Sequence, residues 1–167
     1  SQNPFSLGND VVWDAFSNHN QVFLGTDEGL TAFNLSPIYN YFAINALTSG
    51  MSIGNNLEHI LIDKNKQMWL GGTGGCIRVG NDFVWYRQHD SKNVLSHNHV
   101  RKVYEDKGGK IWISTDNGLN LYDPSTKCMS KKMIYDKKEM HNVPWIYDMI
   151  EDTKGRLWVG TCDNGIY

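Results

Sequence analysis

The sequence predicts an all-β protein: a β-propeller fragment of about four blades of four-stranded antiparallel sheets, the last incomplete. Two observations carry that prediction. A phrase made of an acidic end, a glycine-containing turn, an aromatic strand and a polar bend runs as YEDKGGKIWISTDNGLNLY from Tyr104 and returns as IEDTKGRLWVGTCDNGIY from Ile150. Looser copies run as LIDKNKQMWLGGTGGCIRV from Leu61 and FSNHNQVFLGTDEGLTAF from Phe16. The central aromatics Phe23, Trp69, Trp112 and Trp158 recur at intervals of 46, 43 and 46 residues. A period in the forties with several short strands per unit is the pattern of propeller blades. The copies divide the chain into blades at approximately 7–48, 49–94, 95–142 and 143–167.

Within each copy the elements follow one order. A polar bend leads into an apolar run at Leu7–Val11, Ile53–Leu57 and Leu95–Val100, so the chain begins inside a repeat. First strands are expected at Val11–Phe16, Leu57–Ile62, Val100–Tyr104 and Trp145–Ile150, where short alternating runs suit a strand with one packed face. A four-residue turn then starts at Ser17, Asp63, Asp106 and Asp152. Three residues before each anchor stand Asn20, Lys66, Gly109 and Gly155; Asn and Gly tolerate the left-handed backbone such a hairpin needs, and Lys66 departs from the pattern.

The second strands VFLG, MWLG, IWIS and LWVG place a large ring at one point of every sheet. There it should fill the wedge between neighbouring blades and dominate packing. A bend with Thr26, Thr115 or Thr161 follows, its hydroxyl available to a loop amide. In the second copy Gly72 takes that place and Thr73 comes one residue late. Third strands should begin at Gly29, Gly75, Gly118 and Gly165, and fourth strands should run Ile38–Phe42, Phe83–Arg87 and Met129–Tyr135. The last copy stops short of a fourth strand. An arc of this kind leaves blade faces and a sheet edge uncovered, so further propeller blades or a second copy of the chain are expected to complete it.

Composition narrows the function. The 167 residues carry a net charge of −2, which supplies no broad field for nucleic acid or an anionic membrane. No apolar run is long enough to span a bilayer, and the N-terminus lacks a signal-peptide pattern. Cys76, Cys128 and Cys162 are odd in number and far apart, against a disulfide framework or metal cluster. Cys76 stands where the first and third copies have Leu30 and Leu119.

The motif Ile111-Trp112-Ile113-Ser114-Thr115 with Gly118-Leu119, and Leu157-Trp158-Val159-Gly160-Thr161 with Gly165-Ile166, resembles the two-component regulator propeller repeat. The longer phrase from Leu95 to Pro124 is similar to that family's full unit. The resemblance spans nearly the whole chain and is weaker where Phe23 replaces Trp and where the second bend reads GGTGG. It implies a segment of the periplasmic sensor region of a hybrid two-component system. Such regions form seven-bladed propellers and respond to oligosaccharides. It also implies a membrane attachment and a histidine kinase that lie outside this segment, which contains no kinase sequence.

Catalytic readings find little support in the residues. Gly71–Gly75 lacks the Gly-Lys-Ser/Thr ending of a phosphate loop. His97-Asn98-His99 spells HNH without a nuclease's dispersed ligands, and no third metal ligand is near it. Glu105-Asp106 and Glu151-Asp152 recur at one turn position, which favours a role in the turn over acid–base chemistry. Lysines 127, 131, 132, 137 and 138 suit a protected outer edge.

The segment is therefore expected to be non-catalytic, without cofactor or metal. In a propeller, the loops between blades and the second-to-third strand bends share the face around the channel. Those loops hold Asn55, Asn56, His97, Asn98, His99, Asp116, Asn117, His141, Asn142, Asp163 and Asn164, with Trp145 beside them. Amides, carboxylates and a ring face suit sugar hydroxyls and C–H patches, so His97, Asn98, His99, Asp116, Asn117, Asn142, Trp145 and Asn164 are the expected oligosaccharide contacts. The alternatives are a protein-interaction scaffold without a small ligand and, less well supported, a propeller lyase or glycosidase.

Overall fold

Each copy of the repeat folds as one antiparallel sheet whose strands follow chain order. The computed structural model describes residues 11–18, 21–34, 39–42, 56–80, 82–136, 139–141 and 145–167. Blade one contains β1 (Val12–Asn18), β2 (Gln21–Thr26), β3 (Gly29–Asn34) and β4 (Tyr39–Phe42). Blade two contains β5 (Leu57–Ile62), β6 (Met68–Gly72), β7 (Gly75–Val79) and β8 (Phe83–Tyr86). Blade three contains β9 (Val100–Glu105), β10 (Ile111–Thr115), β11 (Gly118–Asp123) and β12 (Cys128–Lys132). A separate ribbon pairs β13 (Ile134–Asp136) with β14 (Glu139–His141), and blade four pairs β15 (Ile146–Glu151) with β16 (Leu157–Thr161). Among the described residues there is no helix. The first strands lie innermost and touch in sequence, β1 with β5, β5 with β9, and β9 with β15.

The first-to-second strand hairpins of blades two to four share one construction. The turn aspartate accepts the indole N–H of its own anchor: Trp69 to Asp63 at 2.9 Å, Trp112 to Asp106 at 2.9 Å and Trp158 to Asp152 at 3.1 Å. Its other oxygen accepts a turn amide, from Gln67, Lys110 or Arg156. The three aspartates thus close the turn and orient the ring, which explains their fixed distance from the tryptophan. Gly109 and Gly155 take the left-handed backbone at φ 81° and 77°, and Lys66 takes it too at φ 62°. The turn geometry overrides the side-chain preference there.

Three expectations are corrected. The first hairpin is one residue shorter than the others: β1 continues to Asn18, which pairs with Gln21, and Ser17 lies in the strand opposite Val22. Phe23 has no N–H to donate, so an aspartate at the turn would have no ring partner. The strand expected over Met129–Tyr135 is broken at Met133, because β12 pairs with β11 whereas β13 pairs with β14. Gly165 does not open a full strand. Thr161 Oγ1 still donates to its carbonyl at 2.9 Å, as Thr26 and Thr115 do to Gly29 and Gly118. Beyond it only an isolated bridge between Gly160 and Ile166 and a reciprocal backbone pair between Val159 and Tyr167 form.

The core lies between blades. Leu57 and Ile60 pack with Leu30, Leu70 and Ile77, with Phe23 at the margin. Val100 and Val103 join Trp69, Cys76, Tyr86 and Tyr122, with Trp69 stacked on Tyr86 at 5.4 Å and tilted against Tyr122 at 5.2 Å. Ile146 and Met149 close on Leu119, Val159 and Trp112. Gly72 explains the displaced threonine of blade two: a Cβ there would lie 2.0 Å from the Asn56 carbonyl oxygen, so no side chain fits. Cys76 is buried and unpaired in the core, where its thiol is pushed up by burial, and Cys128 and Cys162 are exposed and unpaired.

Candidate functional site

The four innermost strands share a second device. Each interrupts its pairing with the next strand at one register point, producing a β-bulge at Trp13, Glu58, Arg101 and Tyr147. A bulge re-aims one side chain and commonly sits beside functional sites. Two residues before each bulge, the residue leading into the strand is tied to the blade's own bend in blades two to four. The carbonyls of Asn56, His99 and Trp145 accept the amides of Thr73, Asp116 and Cys162 at 3.2, 3.1 and 3.0 Å. Lead-in residue, bulge residue and bend therefore converge at one end of the inner strands, opposite the Asp–Trp hairpins.

At that end, between blades two and three, four side chains form a closed ring of alternating charge. His99 Nε2 meets Glu58, and its Nδ1 lies 2.7 Å from Asp116. Arg101 donates through Nε to Asp116 at 2.6 Å and through Nη1 to Glu58 at 3.3 Å. Both ring nitrogens face carboxylate oxygens, an arrangement that favours the doubly protonated imidazolium of His99. The hydrogen bond to Glu58 raises its pKa against the opposing effect of burial, and Asp116 adds to the rise. For Arg101, burial works against the charge, but the bond to Asp116 and the charge of Glu58 outweigh it. The guanidinium also covers the Tyr147 ring of blade four at 4.9 Å, so the network reaches across three blades.

One step along each strand a second tier of charge forms. His59 Nδ1 binds Asp14 at 2.6 Å, and Lys102 binds Asp148 at 2.9 Å. Burial alone would raise the Asp14 carboxyl, but hydrogen bonds from His59 and the Ile60 amide hold it below the usual range. His59 Nε2 is buried and meets no protein partner among the described residues. In blade one the bulged Trp13 donates to the bend residue Asp27 at 2.5 Å.

Of the expected contacts, the structure brings His99, Asp116 and Trp145 together, the Trp145 amide donating to the Asp116 carbonyl at 3.0 Å. Trp145 is 47 % exposed and takes a left-handed backbone at φ 52°. His97 and Asn98 are engaged by the loop itself, His97 Nδ1 accepting the His99 amide and Asn98 Oδ1 accepting the Gln88 amide at 2.7 Å. The Asn117 and Asn164 amides donate to Thr115 and Thr161, which fixes the bends. Asn55 and Asn142 fall outside the described residues, and the His141 side chain does too. Sequence reading missed Trp13, Glu58, Arg101 and Tyr147. Their signal was present as charged or bulky polar-edged residues inside otherwise apolar first strands, but alternation assigns no special role to a bulge.

The family described as Two component regulator propeller matches residues 94–117 and 142–163. These are the two copies with the fullest Trp-Thr-Gly pattern. These two stretches carry the two-component regulator propeller repeat. Over 81 residues, 46% of this chain, it is 35% identical to Histidine kinase P4 of Formosa agariphila and spans 6% of that protein. The extracellular domain of a hybrid two-component system from B. thetaiotaomicron superposes on 99% of the chain with a TM-score of 0.69 and 35% identity. A second such domain from that organism superposes on 98% with a TM-score of 0.76 and 19% identity, which bears on the fold alone. The chain spans 23% and 21% of those two solved chains.

Proposed function

We propose that this segment is a non-catalytic sensor propeller in the extracytoplasmic part, in the periplasm, of a hybrid two-component signalling protein. It recognises an oligosaccharide at the bulge end of its inner strands and passes the change to a kinase outside this stretch. The observation that carries the reading is the pair of half-exposed rings, Trp145 and Tyr147, at the lead-in and bulge positions beside Arg101 and Asp116. Rings flanked by fixed acceptors and donors suit the C–H faces and hydroxyls of a sugar. Similarity to an extracellular domain along nearly the whole chain supports the setting. The exposed face of β15–β16, with Ile150, Trp158 and Ile166, takes a further blade, because the same positions of blades two and three are covered by the blade that follows.

A thermal-shift titration against an oligosaccharide panel tests the recognition. Saturable stabilisation is expected, and Tyr147→Ala should abolish it while changing the ligand-free melting temperature little. Absence of any shift across the panel would favour a protein-docking scaffold, and turnover of a glycan would overturn the non-catalytic reading.

A further inference from the structure

The charge pattern of the same end selects among glycans. Each lasting cation of the two inner tiers is already matched: Arg101 lies between Asp116 and Glu58, and Lys102 binds Asp148. The Arg101 plane is closed on a third side by Tyr147. Asp14, Glu58, Asp116 and Asp148 supply four carboxylates against these two, with His59 bonded to Asp14 and His99 to Glu58 and Asp116. A sulfate or uronate arriving there finds the Arg101 guanidinium and the Lys102 ammonium each already facing a carboxylate. It would have to displace Glu58 or Asp116 from a partly buried network and leave that carboxylate facing a second anion. Uncharged hydroxyls meet the opposite situation. The carboxylate oxygens retain lone pairs that accept O–H donors, and the Trp145 and Tyr147 rings cover C–H faces without a demand on charge.

Resting on the sensing reading above, we infer that this propeller end discriminates against anionic glycans and takes neutral oligosaccharides. Glu58 and Asp116 act as the specificity-determining residues by occupying Arg101. They position Arg101 rather than react with the ligand. The discrimination is built in as negative selection, since like-charge juxtaposition at an interface is strongly unfavourable.

The test is a calorimetric panel on the 167-residue chain with neutral plant and yeast oligosaccharides on one arm and uronate-bearing and sulfated oligosaccharides on the other. Wild type should bind the best neutral ligand at least about tenfold more tightly than any anionic one at low salt. Glu58→Gln and Asp116→Asn each free one side of Arg101 and should narrow that gap to about threefold or less, chiefly by gained anionic binding. Melting curves identify which variants are folded, and the wild-type comparison decides the main point without them. Preferential binding of the anionic arm, lost in Arg101→Gln, would overturn this inference and leave the sensing reading standing. An unchanged gap in both folded variants would overturn the role of Glu58 and Asp116. Failure to bind either arm would overturn both readings.

Discussion

The two ends of the inner strands are built on opposite plans. At the hairpin end, blades two to four repeat one set of contacts: aspartate to indole, aspartate to turn amide, left-handed residue before the anchor. Blades are stapled there by a recurring lysine. The Lys64 amide and Nζ reach Glu105 and the Asp106 carbonyl, and those of Lys107 reach Glu151 and the Asp152 carbonyl. At the bulge end the backbone device repeats but the side chain changes in every blade, from Trp13 to Glu58 to Arg101 to Tyr147. Uniform contacts hold a ring of blades together; a uniform backbone carrying unlike side chains presents a surface that can be specific.

The comparison can be broken most forcefully at the anchors. Trp69→Ala removes a fully buried ring and an indole donor, and should cost about 3–5 kcal/mol in chemical denaturation. Trp158 is 40 % exposed, so Trp158→Ala should cost about 1 kcal/mol or less in this chain. The two values should approach each other in a longer chain that covers blade four. Equal losses in the short chain would mean that the rings do not act through the following blade.

A smaller effect is expected at the turn. Asp63→Ala leaves the buried Trp69 N–H without its acceptor and should destabilise by about 1–3 kcal/mol. Asp152→Ala should lose less, because its hairpin is open to solvent, although backbone and side-chain bonds from Arg156 hold the Asp152 carboxyl low. A larger loss at Asp152 than at Asp63 would contradict the ordering by burial.

The bulge end should reveal itself through pH. His99 titrates above its ordinary 6.5 in the folded chain. Its contribution to stability is therefore complete below the unfolded value and is lost as pH rises through the folded one. Melting temperature should fall across that window in wild type, and His99→Gln should flatten the fall. A profile unchanged by the substitution would remove His99 from the ring as a charged member.

Much of the hairpin end was legible in the sequence because its contacts are local. Asp106 and Trp112 lie six residues apart, so their bond recurs wherever the spacing does. The left-handed Lys66 was visible only as a departure; the structure shows that it obeys the turn and not its own preference. The shortened first hairpin was hidden because Ser17 keeps the aspartate's distance from the anchor while the strand pairing shifts by one residue. The break at Met133 was equally hidden, since β12 and β13 form one nearly continuous strand-like run and differ only in which partner they choose.

The sequence alone determined the architecture: a periodic pattern of rings, glycines and polar turns has one economical solution, sheets stacked around an axis. It also determined which residues serve that repeat, because side chains a few positions apart meet through turn geometry. Only the tertiary structure decided what the variable residues do. Glu58 and His99 stand 41 positions apart and on different blades, and a bulge is a property of two paired strands rather than of either one. Their meeting depends on blade packing, which places unlike side chains from successive repeats within hydrogen-bond reach.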